Sequence, residues 1–355
     1  MFQIIKAWFY RYFSDPEAVL LFFLLLFGFG LVIFMGGVLT PVLASIVIAY
    51  LLQWVVGQLE RCKIPRLMAV WIVFLGFLGL FLASFFLLLP LLWKQLAALF
   101  NELPHMIVQA QNAMDLLAKK FPEYFSADQI QTLVSSFVGD IQNWGKVAVT
   151  ASLSSISSLI VWLVYLVLVP LLIFFFLKDR NVILTWMSSF LPDKRGVLSQ
   201  VSGEVNIQIG NYIRGKVMEI VIVGIVTYLV LEGFGLQYAA LLSFLVGVSV
   251  LIPYVGAVVA TIPVVLVGYL QWGWSSQFGY AIGTYLIVQG LDANILVPLL
   301  FSEAVNLHPI AIVVATLVFG SFWGFWGVFF AIPLATLIKA VLYAWPRREL
   351  KVKGT

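Results

Sequence analysis

The stretch that decides the fold is LMAVWIVFLGFLGLFLASFFLLLPLLW, from Leu67 to Trp93, which holds no charged side chain. A helix needs about 20 mostly apolar residues to cross a bilayer, so this run is long enough to span one. The whole chain has the same character, because hydrophobic residues make up 63% of its 355 residues and charged residues 10%. An ordinary soluble domain is about 25% charged. The sequence therefore predicts an all-α, polytopic membrane protein.

Further apolar runs lie on both sides of this one. Spanning helices are predicted over Ala18–Met35, Val38–Val56, Leu153–Leu177, Val217–Leu231, Phe278–Leu300 and Phe322–Trp345. The runs Tyr238–Ile252, Val255–Leu270 and Leu307–Phe319 are shorter. About 15 helical residues reach only ~22 Å of a ~30 Å hydrocarbon core. We therefore expect either short tilted helices or the arms of re-entrant helical hairpins.

Most lysines and arginines fall on one side of this predicted topology. They cluster before the first run, between the second and third, after the fourth and in the tail. Basic residues concentrate on the cytoplasmic side of membrane proteins. We therefore expect both termini to be cytoplasmic. The net charge of +4 then reflects orientation in the bilayer rather than binding to nucleic acid.

The segment 94–152 differs from the rest of the chain because polar and apolar residues are mixed. Met106, Ala110 and Ala113 are spaced three and four apart, a pattern typical of amphipathic helices. We expect this segment on the outer side, against the membrane surface or a partner subunit. The predicted organisation is scaffold helices over 1–93, the outer segment over 94–152, a fourth helix and cytoplasmic loop over 153–216, a transport half over 217–345 and a basic tail over 346–355.

The transport half contains a weak internal repeat. Gly256 and Pro263 correspond to Gly327 and Pro333, roughly 70 residues later, a period that indicates duplicated units. Each copy is a long helix followed by two apolar arms with glycine at the bend. The predicted topology gives the two copies opposite directions in the membrane, as in many secondary transporters.

Three prolines of this half are expected to interrupt the hydrogen bonding of its helices. A proline in a helix leaves the carbonyl four residues earlier without its usual donor. In lipid that carbonyl needs another partner. Pro253, Pro298 and Pro333 are expected to free the carbonyls of Ser249, Asn294 and Phe329.

Asp292 is the strongest single signal in the sequence. It lies inside a predicted spanning helix, where a carboxylate costs about 2.5–3.5 kcal/mol. Gln289 and Tyr285 share its helix face, and the freed Asn294 carbonyl follows it. Oxygen ligands of this kind suit Na⁺, or the carboxylate can carry a proton. The alternative is a structural aspartate bonded to a neighbouring helix.

Two further polar residues have competing interpretations. Arg214, at the mouth of its predicted helix, is either an anchor to the lipid headgroups or a partner for Asp292. His308, just before Pro309, either caps a helix or titrates near neutral pH. The candidate substrate- or ion-binding residues are Tyr212, Arg214, Ser249, Pro253, Tyr254, Gly256, Gln289, Asp292, Asn294, Pro298 and His308.

The sequence has none of the common catalytic or metal-binding motifs. It contains no phosphate-binding GxxxxGK[ST] loop, no HExxH pair and a single cysteine, Cys62. We therefore expect no enzyme activity, no metal and no cofactor beyond a coupling H⁺ or Na⁺. Energy for transport would come from an ion gradient or from the gradient of the solute itself.

Several motifs resemble those of a known family. The stretches NYIRGK (211–216), LIPYVG (251–256), SEAVNLHP (302–309), GFWG (324–327) and AIPL (331–334) resemble the autoinducer-2 exporter-like transporters. The stretch FSDPEA (13–18) narrows the resemblance to the PerM-type permeases of that family. The resemblance covers essentially the whole chain. It implies about eight spanning helices, a bacterial inner-membrane location and a homo-oligomer.

Members of this family are associated with export of autoinducer-2 or with Na⁺/H⁺ exchange, so the resemblance does not fix the solute. The leading hypothesis is a secondary transporter that exports a small solute or signal molecule, with H⁺ or Na⁺ as coupling ion. A Na⁺/H⁺ antiporter, a channel-like pore and a membrane scaffold protein are the alternatives. The expected partners are the lipid bilayer, the solute or ion, and further copies of the chain.

Overall fold

The computed structural model describes residues 16–102, 108, 156–190, 196–253, 255–301 and 307–344. These residues form helices and contain no strand, which confirms the predicted helical membrane fold. We number the helices in chain order. They are α1 Pro16–Arg61, α2 Arg66–Glu102, α3 Ile156–Lys178, α4 Arg180–Ser189, α5 Gly196–Gly233, α6 Ala239–Ser249, α7 Val255–Trp272, α8 Ser276–Phe301 and α9 Pro309–Ala344.

Several of these helices are long and apolar enough to cross a membrane. In the described part of the chain they are Val38–Arg61 within α1, and α2, α7, α8 and most of α9. Large apolar side chains such as Phe34, Leu87 and Leu299 lie exposed on their outer faces. In water such surfaces would aggregate, so they are the faces that lipid covers. The chain is therefore a multi-pass membrane protein.

Helix α1 differs from the prediction, which placed two spanning helices over its length. It is one continuous helix of 46 residues, about 69 Å long. Gly36 and Gly37 do not break it, and Pro41 lies inside it. Its two ends are therefore far apart, whereas a helical hairpin would bring them to the same side. The prediction of a cytoplasmic N-terminus rested on that hairpin and loses this support.

Helix α2 extends past the predicted boundary at Trp93 and ends at Glu102. Residues Ser84–Leu88 form a π-helical turn within it, just before Pro90. Gln95, beyond the predicted boundary, accepts a hydrogen bond from the backbone N–H of Leu241 in α6 at 2.8 Å. The end of α2 thus contacts the repeated half. Apart from residues 94–102 and Val108, the predicted amphipathic segment lies outside the described residues.

Helices α1, α2 and α3 pack into one cluster in the first half of the molecule. Its buried side chains include Val56 from α1, Val70 from α2, and Ile173 and Leu177 from α3. Arg66 at the start of α2 donates to the carbonyl of Leu177 at 3.2 Å, which satisfies a free carbonyl at the end of α3. Helix α5 packs against this scaffold through α1, where Val47 clusters with Tyr212 and Ile213.

Helix α5 is longer than the predicted spanning run at Val217–Leu231. It begins at Gly196, so Arg214 lies in the middle of a helix rather than at its mouth. Gly224 of α5 faces Gly247 of α6, where an added side chain would meet the carbonyl of Ile220. Small residues of this kind allow helix backbones to approach closely in membranes.

The structure contains two helical hairpins where the sequence repeat predicts them. Helices α6 and α7 form the first, and α9 forms the second because Gly324 breaks it with φ 57° and ψ −133°. A side chain on Gly256 would collide with the carbonyl of Ser249, and one on Gly327 with that of Phe319. Each bend therefore needs glycine at the corresponding position. Helix α6, with 11 residues, is too short to cross a bilayer alone, which favours a hairpin arm.

The long helices of the two copies run in opposite directions. Gln277 at the start of α8 donates to the carbonyl of Phe234, just past the end of α5, at 3.1 Å. Farther along, Asp292 of α8 lies beside Lys216, in the middle of α5. Helix α8 therefore begins where α5 ends and runs back along it. This is the relation that the predicted inverted repeat requires.

Candidate functional site

A cavity of about 220 Å³ lies where the two copies of the repeat meet. The tip of the first hairpin, the middle of α5, the π-helical part of α8 and both arms of α9 line it. Its wall is mostly apolar, and its polar side chains come from α5 and α8. The polar or charged lining residues are Tyr212, Lys216, Glu219, Gln289 and Asp292, and the apolar ones are Val250, Ile252, Pro253, Ala257, Ala293, Val297, Phe301, Ile312 and Ile332.

Lys216 and Glu219 form an ion pair in the wall of this cavity. The Nζ of Lys216 lies 2.7 Å from Oε2 of Glu219, one turn later on α5. The same Nζ donates to the carbonyl of Val250 at 2.8 Å. Both residues are almost fully buried, with 4% and 2% of their surface exposed. A buried charge is stable only when paired and hydrogen-bonded, and here the pair also holds the hairpin tip.

The lysine has one further partner inside the cavity. Its Nζ lies 5.3 Å from the ring centre of Phe301, within the range of a cation–π contact. Phe301 ends α8 and packs directly on Gly215 of α5. Lys216 therefore joins α5, the tip of the first hairpin and the end of α8 at one point.

Asp292 begins the π-helical turn Asp292–Leu296 of α8. The backbone N–H of Val297 donates to the Asp292 carbonyl five residues earlier. Pro298 follows and has no N–H, so it cannot donate the regular hydrogen bond to the carbonyl four residues earlier. The helix widens at this position. Such turns are rare and frequently mark functional sites. Here the turn begins three residues after Gln289 and places Asp292 and Ala293 against the cavity.

Asp292 and Gln289 present unused polar atoms at this site. Oδ1 of Asp292 and Nε2 of Gln289 are buried and have no hydrogen-bond partner within the described ranges. Leaving such groups unmatched costs about 1–3 kcal/mol each, and more for a charged group. The alternative of a structural aspartate bonded to a neighbouring helix predicts a partner for the carboxylate, and the described residues provide none for Oδ1. The two atoms therefore point to a ligand that accepts from the amide and interacts with the carboxylate.

The cavity has an unequal balance of charge. Glu219 and Asp292 are two carboxylates, and Lys216 is the only cation among the residues that line the cavity. Because Lys216 contacts Glu219 directly, the ion pair leaves Asp292 without a contacting counter-charge in the described structure. The site therefore has the electrostatics to attract one monovalent cation or one proton.

Tyr212 closes the side of the cavity that faces α9. Its hydroxyl lies 3.4 Å from the carbonyl of Phe329, a long hydrogen bond. Pro333 frees that carbonyl, as the sequence predicts, because proline cannot donate to it. The ring of Tyr212 lies 5.8 Å from that of Phe301. Tyr212 thus links α5 to both halves of the second copy.

The structure gathers four of the predicted site residues around the cavity, namely Tyr212, Pro253, Gln289 and Asp292. Tyr285, expected on the same face, is fully buried and contacts Thr261 of α7 at 2.9 Å instead. Gly256 and Ser249 shape the bend of the hairpin behind the cavity. Tyr254 lies outside the described residues.

Arg214 does not pair with Asp292 in the described structure, contrary to one of its two predicted roles. It donates to the carbonyl of Gly210 at 2.9 Å and to Oδ1 of Asn211 at 2.8 Å. Residues three and four apart share a helix face, so these partners keep Arg214 on its own helix. Lys216, two residues later, points to a different face and reaches the cavity.

Ser249, Asn294 and Pro298, which were predicted to bind the substrate or ion, do not line the cavity. The carbonyl of Ser249 accepts from the N–H of Ile252 at 3.0 Å within the turn. Nδ2 of Asn294 donates to Gly290 on its own helix at 2.8 Å. The π-helical turn changes the register of α8, so residues after Asp292 point elsewhere than a regular helix would place them.

His308 shows the capping geometry that was one of its two predicted roles. Its Nδ1 accepts from the N–H of Ile310 at 3.3 Å, and its carbonyl accepts from Ala311 and Ile312. These bonds satisfy free N–H groups at the start of α9. Its exposed side chain does not line the cavity.

Lys216 and Glu219 are the site residues that sequence reasoning missed. Their pairing is visible in the sequence, because oppositely charged residues three apart share a helix face. Their place in the cavity is not, because it depends on how α5 packs against the tip of the first hairpin. The signal that could have found them is Glu219, a charge inside the run from Val217 to Leu231, with the opposite charge of Lys216 immediately before that run.

Comparisons with known proteins identify the family. The model of the AI-2E family transporters matches residues 21–347. This chain belongs to the AI-2E family. It is 46% identical over 350 residues to PerM of Escherichia coli strain K12, named as a candidate permease, and the match covers 99% of each chain. YueF of Bacillus subtilis, named as a candidate transport protein, is 28% identical over 87% of this chain and 84% of its own.

Membership in the AI-2E family confirms the resemblance seen in the sequence, including its PerM-type subgroup. The family and the names of these relatives make the protein a membrane transporter. YrrI of Bacillus subtilis, also named as a candidate transport protein, is 26% identical over 85% of each chain. The family model extends over both hairpins and the cavity between them.

Proposed function

We propose that this AI-2E transporter is a secondary transporter that exports a small solute or signal molecule through the cavity, coupled to H⁺ or Na⁺ at Asp292. The observation that carries the proposal is the buried Oδ1 of Asp292, which has no hydrogen-bond partner among the described residues. Acidic groups inside membrane proteins commonly mark ion and proton pathways. The inverted relation of α5 and α8 around the cavity is typical of secondary transporters.

The lining of the cavity limits the class of solute. Its volume of about 220 Å³ is below the ~300–1,000 Å³ of sites for drug-sized ligands. The apolar wall of Ile252, Ile312 and Ile332 suits the body of a small molecule, and Gln289 supplies a donor beside the carboxylate. We therefore expect a small solute with an apolar part and a polar acceptor group.

The location, orientation and assembly of the protein also belong to this proposal. We place it in a bacterial inner membrane, with the loop around Cys62 and the basic tail on the cytoplasmic side. The homo-oligomer implied by the resemblance and the outer position of residues 94–152 stay predictions. The division of the chain into domains also stays a prediction. Its first boundary, after residue 93, falls inside α2.

A flux experiment in proteoliposomes tests the coupling role of Asp292. The purified protein is screened for solute uptake driven by imposed H⁺ or Na⁺ gradients, and Asp292→Asn is compared with the wild type. We expect the gradient-driven flux to be lost, because the amide cannot carry the proton or the ionic charge. Glu232→Gln is the matched control, since Glu232 is exposed at the end of α5 and does not line the cavity.

Unchanged gradient-driven flux in Asp292→Asn would reject the proposed coupling site. Counterflow separates the carrier from the alternative of a simple pore. In a carrier, excess unlabelled solute on one side drives accumulation of labelled solute, which a pore cannot do. Absence of counterflow in the active wild type would favour the pore.

A further inference from the structure

The buried ion pair of α5 raises a question that the coupling role of Asp292 leaves open. A transporter that binds one cation needs one acidic group, yet two carboxylates line the cavity. Burying a lysine and a glutamate together costs desolvation energy, and apolar residues of similar size often serve stability as well or better. The stability of α5 therefore does not explain why a buried ion pair is present here.

The geometry around Lys216 indicates what the pair does. Its Nζ contacts Oε2 of Glu219 at 2.7 Å and the carbonyl of Val250 at 2.8 Å, both oxygen atoms. Carboxylate and carbonyl oxygens are also the ligands that hard cations prefer. The ammonium group thus occupies a position at which a free cation would find two oxygen ligands.

We propose that Lys216 acts as a permanent cation that neutralises Glu219. Asp292 alone is then left to bind the transported cation, so the site binds one positive charge per transport cycle. This inference rests on the proposed cation coupling and concerns its stoichiometry. Lys216 does not bind the transported cation itself. It sets the charge of the site by deciding which of the two carboxylates is left to bind that cation. Arg214 cannot take this role, since its guanidinium is held by Gly210 and Asn211.

The inference predicts a different number of bound positive charges for each of two single variants and the wild-type number for the double variant. In Lys216→Met both carboxylates are free, so the site should take two charges. In Glu219→Gln the ammonium loses its acidic partner and becomes available to neutralise Asp292, so the site should take none. In the double variant Lys216→Met/Glu219→Gln, Asp292 is again the single unpaired carboxylate, and the site should take one charge as in the wild type.

The test is the charge displaced per protein in proteoliposomes adsorbed on a solid-supported membrane. Full-length protein receives a jump of Na⁺ at constant pH and, separately, a jump of pH at constant Na⁺. Relative to the wild type we expect displaced charge about twofold higher in Lys216→Met, lost in Glu219→Gln and restored in the double variant, because each free carboxylate binds one cation or proton. Lys216→Arg keeps the positive charge and is expected to match the wild type.

The outcomes separate this inference from the proposed function. If the wild type displaces no charge in either jump, the proposed cation coupling fails. If the wild type displaces charge but the double variant stays as inactive as Glu219→Gln, the pair is needed for structure or for holding the hairpin tip, and the inference is overturned. The comparison of the double variant with Glu219→Gln remains decisive even if Lys216→Met cannot be purified as a monodisperse protein.

Discussion

Gly256 lies where the backbone of α7 crosses the carbonyl of Ser249, and no side chain fits between them. Gly327 has the same relation to Phe319 in the second hairpin. In both cases the obstructing atom belongs to the backbone, which cannot rotate away as a side chain can. The two bends therefore depend on the absence of a single carbon atom.

Replacing either glycine by alanine should destabilise the protein. We expect Gly256→Ala and Gly327→Ala to cost about 1–3 kcal/mol each, because the hairpin arms must separate to admit the methyl group. The measurement is thermal unfolding of the purified protein in detergent. Gly283→Ala is the matched control, since nothing lies within 4 Å of its added carbon. An equal loss of stability in the control would show that the effect is not specific to the bends.

The site residues show how far a single sequence can be interpreted. Asp292 and Gln289 were predicted because a carboxylate in an apolar run and an amide three residues earlier are local features. For Arg214, one of two interpretations, pairing with Asp292, was wrong, and Lys216 was not assigned to the site at all. Which of the two faces the cavity depends on the rotation of α5 about its axis, which packing against α6 and α8 sets.

At the level of elements, the end of α2 anchors the first hairpin. Oε1 of Gln95 accepts from the N–H of Leu241 at 2.8 Å, in the first turn of α6, where N–H groups lack partners within the helix. Leu99, one turn later, packs against the apolar cluster of the repeated half. The scaffold thus contacts the short arm at the end farther from the cavity.

Removing this contact should loosen the hairpin. We expect Gln95→Leu to cost about 1 kcal/mol, as the loss of a helix-capping acceptor does. Amide hydrogen exchange of α6, followed by mass spectrometry, should become faster than in the wild type. Gln95→Glu is the control, because it keeps an acceptor and places a negative charge at a helix start, where it is favourable. If exchange in α6 is the same in Gln95→Leu and Gln95→Glu, the anchoring role is wrong.

The sequence predicted the bounds of some helices more accurately than those of others. The runs of α3, α7 and α8 were located to within a few residues, because their ends coincide with polar or glycine-containing turns. Helix α1 was divided wrongly at Gly36 and Gly37. Glycine costs only about 1 kcal/mol per residue in a helix, so it does not end one when the flanking sequence is strongly apolar.

At the level of the whole molecule, the single cysteine reports orientation without any mutation. Cys62 is exposed in the turn between α1 and α2, beside Arg61 and Lys63. By the positive-inside rule we propose that this turn is cytoplasmic. A membrane-impermeant maleimide should label the protein in inside-out vesicles and leave it unlabelled in right-side-out vesicles. Cys62→Ser provides the background signal, and labelling in right-side-out vesicles alone would reverse the proposed orientation.

The contact between Gln95 and α6 also gives a measure of depth. Along the axis of α2, Gln95 lies about 43 Å from Arg66 at 1.5 Å per residue, which is the full thickness of a bilayer with its headgroups. Gln95 marks the level at which α5 turns into α6, and Lys216 lies about 25 Å back along α5 from Gly233. On this scale the ion pair, with Asp292 beside it, lies about 25 Å into a thickness of about 43 Å. An ion that reaches Asp292 would cross part of the transmembrane voltage on entry and the rest on exit, so the membrane potential would influence both steps.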